Sequence, residues 1–427
     1  MMFSPLAGFG VAFIIAFALR PPWQESGAIR YVFTAALTPE GFLVVAILGI
    51  IGMLSFYSGD RLVDRLWRNR SQPSNAATIE RSFYERDSRD AAFMLAALAA
   101  SLFIIYLVIH GAVGIDFNAN RASYNESLSG RGYIFVINTA AAIFLLLGFL
   151  YAFRIGRLGR PGWVAILLFG FGNLLVTNRS LITSVLYGFL LVMVINRRAW
   201  SERTIAALVL AAIAALLVLG TVLGLVRGVE SYGIQGHPLQ PLLFLAMTFD
   251  MAETLHDVIL RCDGFAWGWP WLEDLMYTYV PREIFANKPF VYGAVRLQHE
   301  FIPGSLPSSG VPTATYPLGI FGEAYANFGG VGVATILFGT GAFCRSCFLR
   351  VLAMKGRSSF RVQDLIALNV LALLIGNTLG YIRSFGWFLA SLLFLGVFVP
   401  VCYLILNFAS RRALAAPGTV GPTRNFN

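Results

Sequence analysis

Apolar runs long enough to cross a bilayer, each needing roughly 17–25 residues, recur along this chain. They predict helices near 2–19, 40–57, 91–113, 133–153, 163–177, 181–195, 204–226, 329–348, 364–382 and 386–408. The fifth and sixth runs are short, so tilted, broken or differently seated helices are expected there. The first run has no basic segment before it and no small-residue cleavage site before Arg20-Pro21-Pro22, so it reads as a retained membrane helix. An even number of spans puts both termini on one side.

Charge then gives the direction. Arginines crowd alternate connections: Arg61, Arg65, Arg68 and Arg70, with Arg81, Arg86 and Arg89; then Arg154, Arg157 and Arg160; then Arg197, Arg198 and Arg203. The basic residues from Arg345 to Arg361 and the tail arginines Arg411, Arg412 and Arg424 follow the same rule. Basic residues stay on the cytoplasmic side, so both termini are expected to be cytoplasmic. The domains expected are 1–226 (spans one to seven), 227–328 (a large periplasmic loop) and 329–427 (the last three spans and a cytoplasmic tail). Residues 58–90 read as a polar, basic cytoplasmic loop or short helix.

A hundred structureless residues inside a compact protein are improbable, so 227–328 should hold structure of its own. Phe244–Leu260 carries apolar Leu245, Phe249, Leu255 and Ile259 at helical spacing, with Asp250, Glu253, His256 and Asp257 between them, which predicts an amphipathic helix. Trp267, Trp269 and Trp271 suit a membrane–water interface. Proline and glycine dominate 302–319, which predicts an ordered loop.

Composition excludes the soluble alternatives. Hydrophobic residues make up 57% of the 427 and charged residues 13%, and the mean hydropathy is +0.70. A net charge of +10 could suit nucleic acid, but the basic residues share no single face, as such binding requires. Cys344 and Cys347 form a CxxC at the end of an apolar helix without a second Cys or His pair, so neither a metal nor a redox site is expected.

The polar residues on the outer side carry the candidate chemistry. Arg179, in Thr177-Asn178-Arg179-Ser180, is either a turn arginine that snorkels or an anion ligand near the hydrocarbon edge. Arg383 stands in a similar turn, and Arg227 closes the seventh span. Arg282 and Lys288 flank Pro281 and Pro289, and rigid cations at a membrane surface suit a phosphate or diphosphate; a surface ion pair of Arg282 with Glu283 or Glu273 is the plainer reading. Arg121 and Arg282 each precede a glycine (Gly132, Gly293) at an Arg-x10-Gly spacing that chance alone would also produce. For acid–base work Glu323, His299, Glu300, His256 and Glu253 are candidates. Glu323 lies where the loop meets the eighth span, one turn before Asn327, and is either a desolvated base or a carboxylate answering a helix dipole. His299 shows no fixed partner in the sequence. No nucleotide-binding or paired-carboxylate metal motif appears in the long loop, so neither cofactor nor metal is expected.

Pro281-Arg282-x-Ile284-Phe285-x-x-Lys288-Pro289, followed by Gly319-x-x-Gly322-Glu323-x-Tyr325-x-Asn327-Phe328-Gly329, resembles the Wzy-type O-antigen polymerases, which join oligosaccharide repeat units. The Thr177–Ser180 turn is similar to the arginine turn those enzymes share with O-antigen ligases. The resemblance implies an all-α polytopic bundle of about ten helices, of the GT-C-like plan, in the bacterial inner membrane. It implies transfer of a growing glycan from undecaprenyl diphosphate to a sugar hydroxyl of a new lipid-linked unit. Arg179, Arg282, Lys288, Arg383, Arg121 and Arg227 would hold the diphosphate. Glu323 or His299 would take the hydroxyl proton, and Tyr292, Tyr316, Tyr325, Trp267 and Asn327 would face the glycan. The expected partners are the undecaprenyl-diphosphate-linked oligosaccharide, membrane lipid and a chain-length regulator, and no nucleic acid. The surroundings of His299 depart from the ligase pattern. Ligase, lipid-linked sugar flippase and non-catalytic scaffold are the competing classes; no repeated halves or mid-span charges support transport.

Overall fold

The computed structural model describes residues 5–13, 39–70, 83–111, 133–155, 159–175, 179–195, 252–280, 284–302, 318–354, 360–375 and 384–415. These residues are helical with short turns. In chain order the helices are α1 (Pro5–Phe13), α2 (Pro39–Arg70), α3 (Phe83–Gly111), α4 (Tyr133–Arg154), α5 (Gly159–Leu175), α6 (Arg179–Ile195), α7 (Ala252–Arg261), α8 (Trp269–Tyr277), α9 (Gly293–Phe301), α10 (Gly319–Leu352), α11 (Val362–Val370) and α12 (Phe385–Ala415). A π-helical turn, Leu371–Ile375, continues α11.

Five of them, α2, α3, α4, α10 and α12, are long and apolar enough to cross a membrane, which makes this an α-helical, multi-pass membrane protein. In hydrocarbon every backbone N–H and C=O must find its partner within the protein, and a helix supplies them all along its length. The short fifth and sixth apolar runs appear as helices α5 and α6, 17 residues each. The span expected over 204–226 lies outside the described residues, as do the 302–319 loop apart from its ends and residues 244–251 of the amphipathic helix.

Of 58–90, expected as a loop or short helix, residues 58–70 are helical as the continuation of α2, and α3 already begins at Phe83. The apolar run stops near Tyr57, yet the helix goes on because its polar groups are satisfied sideways. Asp64 is buried and accepts hydrogen bonds from Arg68 one turn on (2.7 Å) and from Arg345 of α10 (2.5 Å).

Burial orders the bundle. In α4, 78% of the apolar span is buried, against 28% in α2 and in α12, so α4 is the centre and the other two lie at the edge. Antiparallel α3 and α4 are joined at one end by the Asp90–Arg154 ion pair (3.0 Å) and further along by the Ser101 hydroxyl, which donates to the Ala141 carbonyl (2.9 Å). Asn138 of α4 donates to Asn173 of α5 (2.8 Å), a buried polar link of the kind that joins helices in lipid.

α2 and α10 run parallel, as the successive contacts Leu48–Gly330, Phe56–Gly341 and Asp64–Arg345 show. Their backbones touch. A Cβ on Gly341 would lie 2.2 Å from the Phe56 carbonyl oxygen, and one on Gly59 would lie 2.1 Å from that of Phe338. Small residues permit such an approach, which takes the place of hydrophobic association inside lipid.

The three short helices α7–α9 form a cap where α2, α10 and α12 begin. The His256 ring of α7 lies over Gly41, the Thr254 hydroxyl donates to the Leu318 carbonyl (3.3 Å), and α8 packs along α12. α7 is buried on both faces over 252–258: Leu255 and Val258 are inside as expected, but Glu253, His256 and Asp257 are buried with them, while Leu260 is exposed.

Gly341→Leu should cost roughly 1–3 kcal/mol through overpacking at the α2–α10 crossing and lower the thermal midpoint in detergent. Gly396→Ala, with nothing within 4 Å of its added methyl, should leave the midpoint unchanged or raise it.

Candidate active site at the capped end of the bundle

The site is built on a break in α10. Phe328 (φ −146°, ψ 15°) and Gly329 (φ 64°, ψ −156°) leave the helical conformation, so the carbonyls before them lose their partners within the helix. The loop before α8 takes them up. Ala266 N–H donates to the Ala326 carbonyl (3.0 Å) and Trp267 N–H to the Asn327 carbonyl (3.2 Å). The Asn327 side chain completes the joint: its Oδ1 accepts from Gly268 N–H (2.7 Å) and its Nδ2 donates to the Glu323 carbonyl (2.8 Å). Gly329 supplies the positive φ that other residues avoid. Gly332 leaves room for the fold-back, since a Cβ there would stand 2.3 Å from the Ala324 carbonyl oxygen.

Glu323 is the hub. It is wholly buried, and its Oε2 accepts three hydrogen bonds: from Trp271 Nε1 (3.0 Å), Phe385 N–H (2.9 Å) and Gly386 N–H (3.1 Å). Oε1 has no hydrogen-bond partner among the described residues. The first backbone N–H groups of a helix have no acceptor within it, and the helix dipole adds partial positive charge at that end. Glu323 thus answers a helix start, that of α12 rather than of its own helix, and it ties α8, α10 and α12 at one point.

A second carboxylate pair joins α8 to α9. Glu273 Oε2 accepts from Gly293 N–H (2.8 Å) while its Oε1 pairs with Arg296 (2.5 Å), and Asp274 Oδ2 accepts from Ala294 N–H (3.1 Å). Asp274 is wholly buried, and the Trp387 side chain also approaches its carboxylate. It is wedged between two glycines: a Cβ on Gly293 (φ 56°) or on Gly386 would approach its carboxylate oxygens to 2.1 Å. Gly386 therefore stands between Asp274 and Glu323. Burial, and then the neighbouring Glu323 charge, push Asp274 up to about 8, against the pull of the Ala294 N–H.

The sequence candidates are distributed around this hub. Lys288 is half-buried at the α8–α9 turn: its Nζ donates to the Val280 carbonyl (3.1 Å) and sits 5.2 Å from the Tyr292 ring, which meets Tyr277 edge-on. Trp267 is 73% exposed and Trp269 50%, while Trp271 is buried at 7%, so two indoles lie at the surface of the cap and the third serves Glu323. Tyr325 is half-buried, and His299 is exposed on the outer side of α9. Arg179 is the first residue of α6, its side chain outside the described residues. Arg121, Arg227, Arg282, Tyr316 and Arg383 also lie outside them, although Ser384 and Phe385, next to Arg383, are at the hub. Sequence reasoning missed Asp274. Its one signal was an acidic doublet, Glu273-Asp274, in a short helix otherwise apolar. The described residues contain no group of three or more His, Cys, Asp or Glu able to hold a metal ion.

Compared with protein-family models, curated proteins and solved structures, the chain matches none of them.

Because the folded protein holds the Asp274 proton more tightly than the unfolded chain, whose value is 3.8, stability should fall as pH rises from 3.8 to about 8 and then level off. Asp274→Asn keeps an acceptor for Ala294 N–H and removes the charge, so it should flatten that part of the thermal-midpoint profile in detergent. An unchanged slope in the variant would contradict the assignment.

Proposed function

We propose that this protein is a repeat-unit polymerase working at its capped end: it transfers a growing glycan from a polyprenyl diphosphate to a hydroxyl of an incoming lipid-linked oligosaccharide. The observation that supports the reading is convergence. The α8–α9 hairpin that contains Pro281–Pro289, the Gly319–Gly329 segment and the start of α12 beside Arg383 are far apart in sequence, and Glu323, Asp274 and Asn327 join them at one end of the bundle.

In this reaction the acceptor oxygen bonds to the anomeric carbon, the bond from that carbon to the diphosphate breaks, and undecaprenyl diphosphate leaves with the electron pair. Arg282, Arg383 and Arg179, with Arg121 and Arg227 further out, would meet the charge that grows on the diphosphate. Lys288 would fix the segment carrying Arg282. The acceptor proton would pass to His299, which a substrate can reach. Glu323 would act through α12: with Oε2 filled by three N–H donors, it sets the position of the turn that bears Arg383. Trp267, Tyr292, Tyr316 and Tyr325 would offer faces to sugar rings.

The fuller topology is part of the same proposal: ten spans in a GT-C-like bundle, in the bacterial inner membrane, with both termini cytoplasmic and the cap periplasmic. The parallel course of α2 and α10 requires an odd number of crossings between them, and the five spans of the sequence reading meet that requirement.

Purified protein given only lipid-linked repeat units should yield a ladder of longer glycans and free undecaprenyl diphosphate. Products on lipid A core alone would indicate a ligase, and no product would remove the proposal. Arg282→Ala should lose on the order of a hundredfold or more, the size of a lost electrostatic stabiliser. Glu323→Gln retains an acceptor oxygen and should keep part of the activity with an unmoved pH profile, whereas Glu323→Ala should lose it. A hundredfold or larger loss in Glu323→Gln, with the acid limb gone from the activity that remains, would make Glu323 the base instead.

A further inference from the structure

At the end opposite the cap, α2 and α10 leave a groove of about 580 Å³ whose lining includes Tyr57, Arg61, Arg65, Arg68 and Phe338. From this groove we infer a binding site for the phosphate of an anionic glycerophospholipid, with its acyl chains lying along α2. The inference is independent of the proposed reaction.

Position is the first support. From Gly41, under the cap, to Arg61 the helical rise is about 30 Å, close to the hydrocarbon thickness of a bilayer. With the exposed indoles of the cap at one interface, the groove falls at the other. Tyr57 stands where an aromatic residue of the interface belongs.

Charge is the second. Asp64, the acid in the groove, is already taken by Arg68 (2.7 Å) and Arg345 (2.5 Å). Arg61 lies over the Tyr57 ring at 5.0 Å, and Arg65 makes no ion pair among the described residues. Both are exposed. Asp60 is buried and attracts Arg61 without forming an ion pair with it. Two exposed guanidinium forks therefore line a concave surface with no ion pair of their own among the described residues, and phosphate oxygens fit that geometry.

The third is the surface below. Leu43, Ile47, Ile50 and Leu54 form an exposed stripe at helical spacing that leads up to Tyr57 and Arg61, with exposures of 61, 49, 54 and 59%. A soluble anion would use the arginines and leave this stripe idle. A lipid uses both, because its headgroup and chains are joined at the spacing the helix presents. The occupant is therefore a lipid and not a free phosphate.

The test uses the full chain purified in detergent. Titration with phosphatidylglycerol, phosphatidylcholine or inorganic pyrophosphate is followed by thermal midpoint, and retained lipid is counted by native mass spectrometry. Phosphatidylglycerol should raise the midpoint and stay bound. Arg61→Gln/Arg65→Gln should weaken it on the order of tenfold or more, given about 1 kcal/mol per basic residue at an anionic surface, and Arg61→Lys/Arg65→Lys should fall between. Arg411→Gln/Arg412→Gln, which alters basic residues outside the groove, should bind as wild type. Equal stabilisation by phosphatidylcholine, or equal stabilisation by pyrophosphate that is lost in Arg61→Gln/Arg65→Gln, would overturn the lipid assignment. Equal weakening by the Arg411/Arg412 variant would overturn the groove, leaving only diffuse attraction. A glutamine variant that elutes as a folded monodisperse species and still retains phosphatidylglycerol would overturn it as well.

Discussion

A carboxylate with no exposure inside a helical bundle persists only if hydrogen bonds replace the water it has lost; an unpaired buried charge would instead neutralise or force the structure open. Glu323 meets that condition with donors from two other helices, the Trp271 indole and the Phe385 and Gly386 amides. The solution serves both sides, since the start of α12 has amides with no acceptor of their own. Removing the carboxylate would leave those amides unpaired in a region without solvent, so α8, α10 and α12 depend on one another through a single oxygen atom.

The break in α10 makes that geometry available. A continuous helix over residues 319–352 would keep the Ala326 and Asn327 carbonyls for itself and offer nothing to the loop before α8. With Phe328 and Gly329 out of helical conformation, two carbonyls point outward and are met by Ala266 and Trp267. A helix that crosses lipid cannot leave such groups exposed, so the break is confined to the capped end, where another segment covers it. The Asp274 wedge depends on the same arrangement: both glycines that border it lie in the first turn of a helix, and a side chain at either would push its carboxylate out.

Much of the fold was legible because hydropathy reports burial in lipid directly. The cores of α2, α3, α4, α10 and α12 coincide with apolar runs, and even the shortness of α5 and α6 could be read. Where helices are sustained by pairing instead of by lipid, hydropathy loses sight of them: α2 runs past Tyr57 because Arg345, 281 positions after Asp64, supplies the partner. The inward-facing charges of α7 were hidden for the same reason. At the site, the Gly319–Gly329 segment was visible as a motif and Glu323 as its chemical centre. Its Phe385 and Gly386 partners were not, because backbone amides carry no residue identity, and Trp271 read as an interfacial indole. Asp274 was overlooked because an acid beside another acid reads as surface, whereas the glycines that enclose it lie in other elements.

The two ends of the bundle treat charge in opposite ways, and this follows from which helix ends gather there. Under the cap α2, α10 and α12 all begin, so partial positive charge converges, and the buried carboxylates Glu323 and Asp274 answer it with no ion pair to lysine or arginine among the described residues. At the far end α2 and α10 finish; their partial negative charge favours cations, and Arg61, Arg65, Arg68, Arg345 and Arg350 collect there. Carboxylates occupy the donors of α12, so any anion brought to the cap must be held by side chains beyond the hub. Arg282 and Arg383 stand in the segments that adjoin it in sequence, next to described residues 284–290 and 384–386.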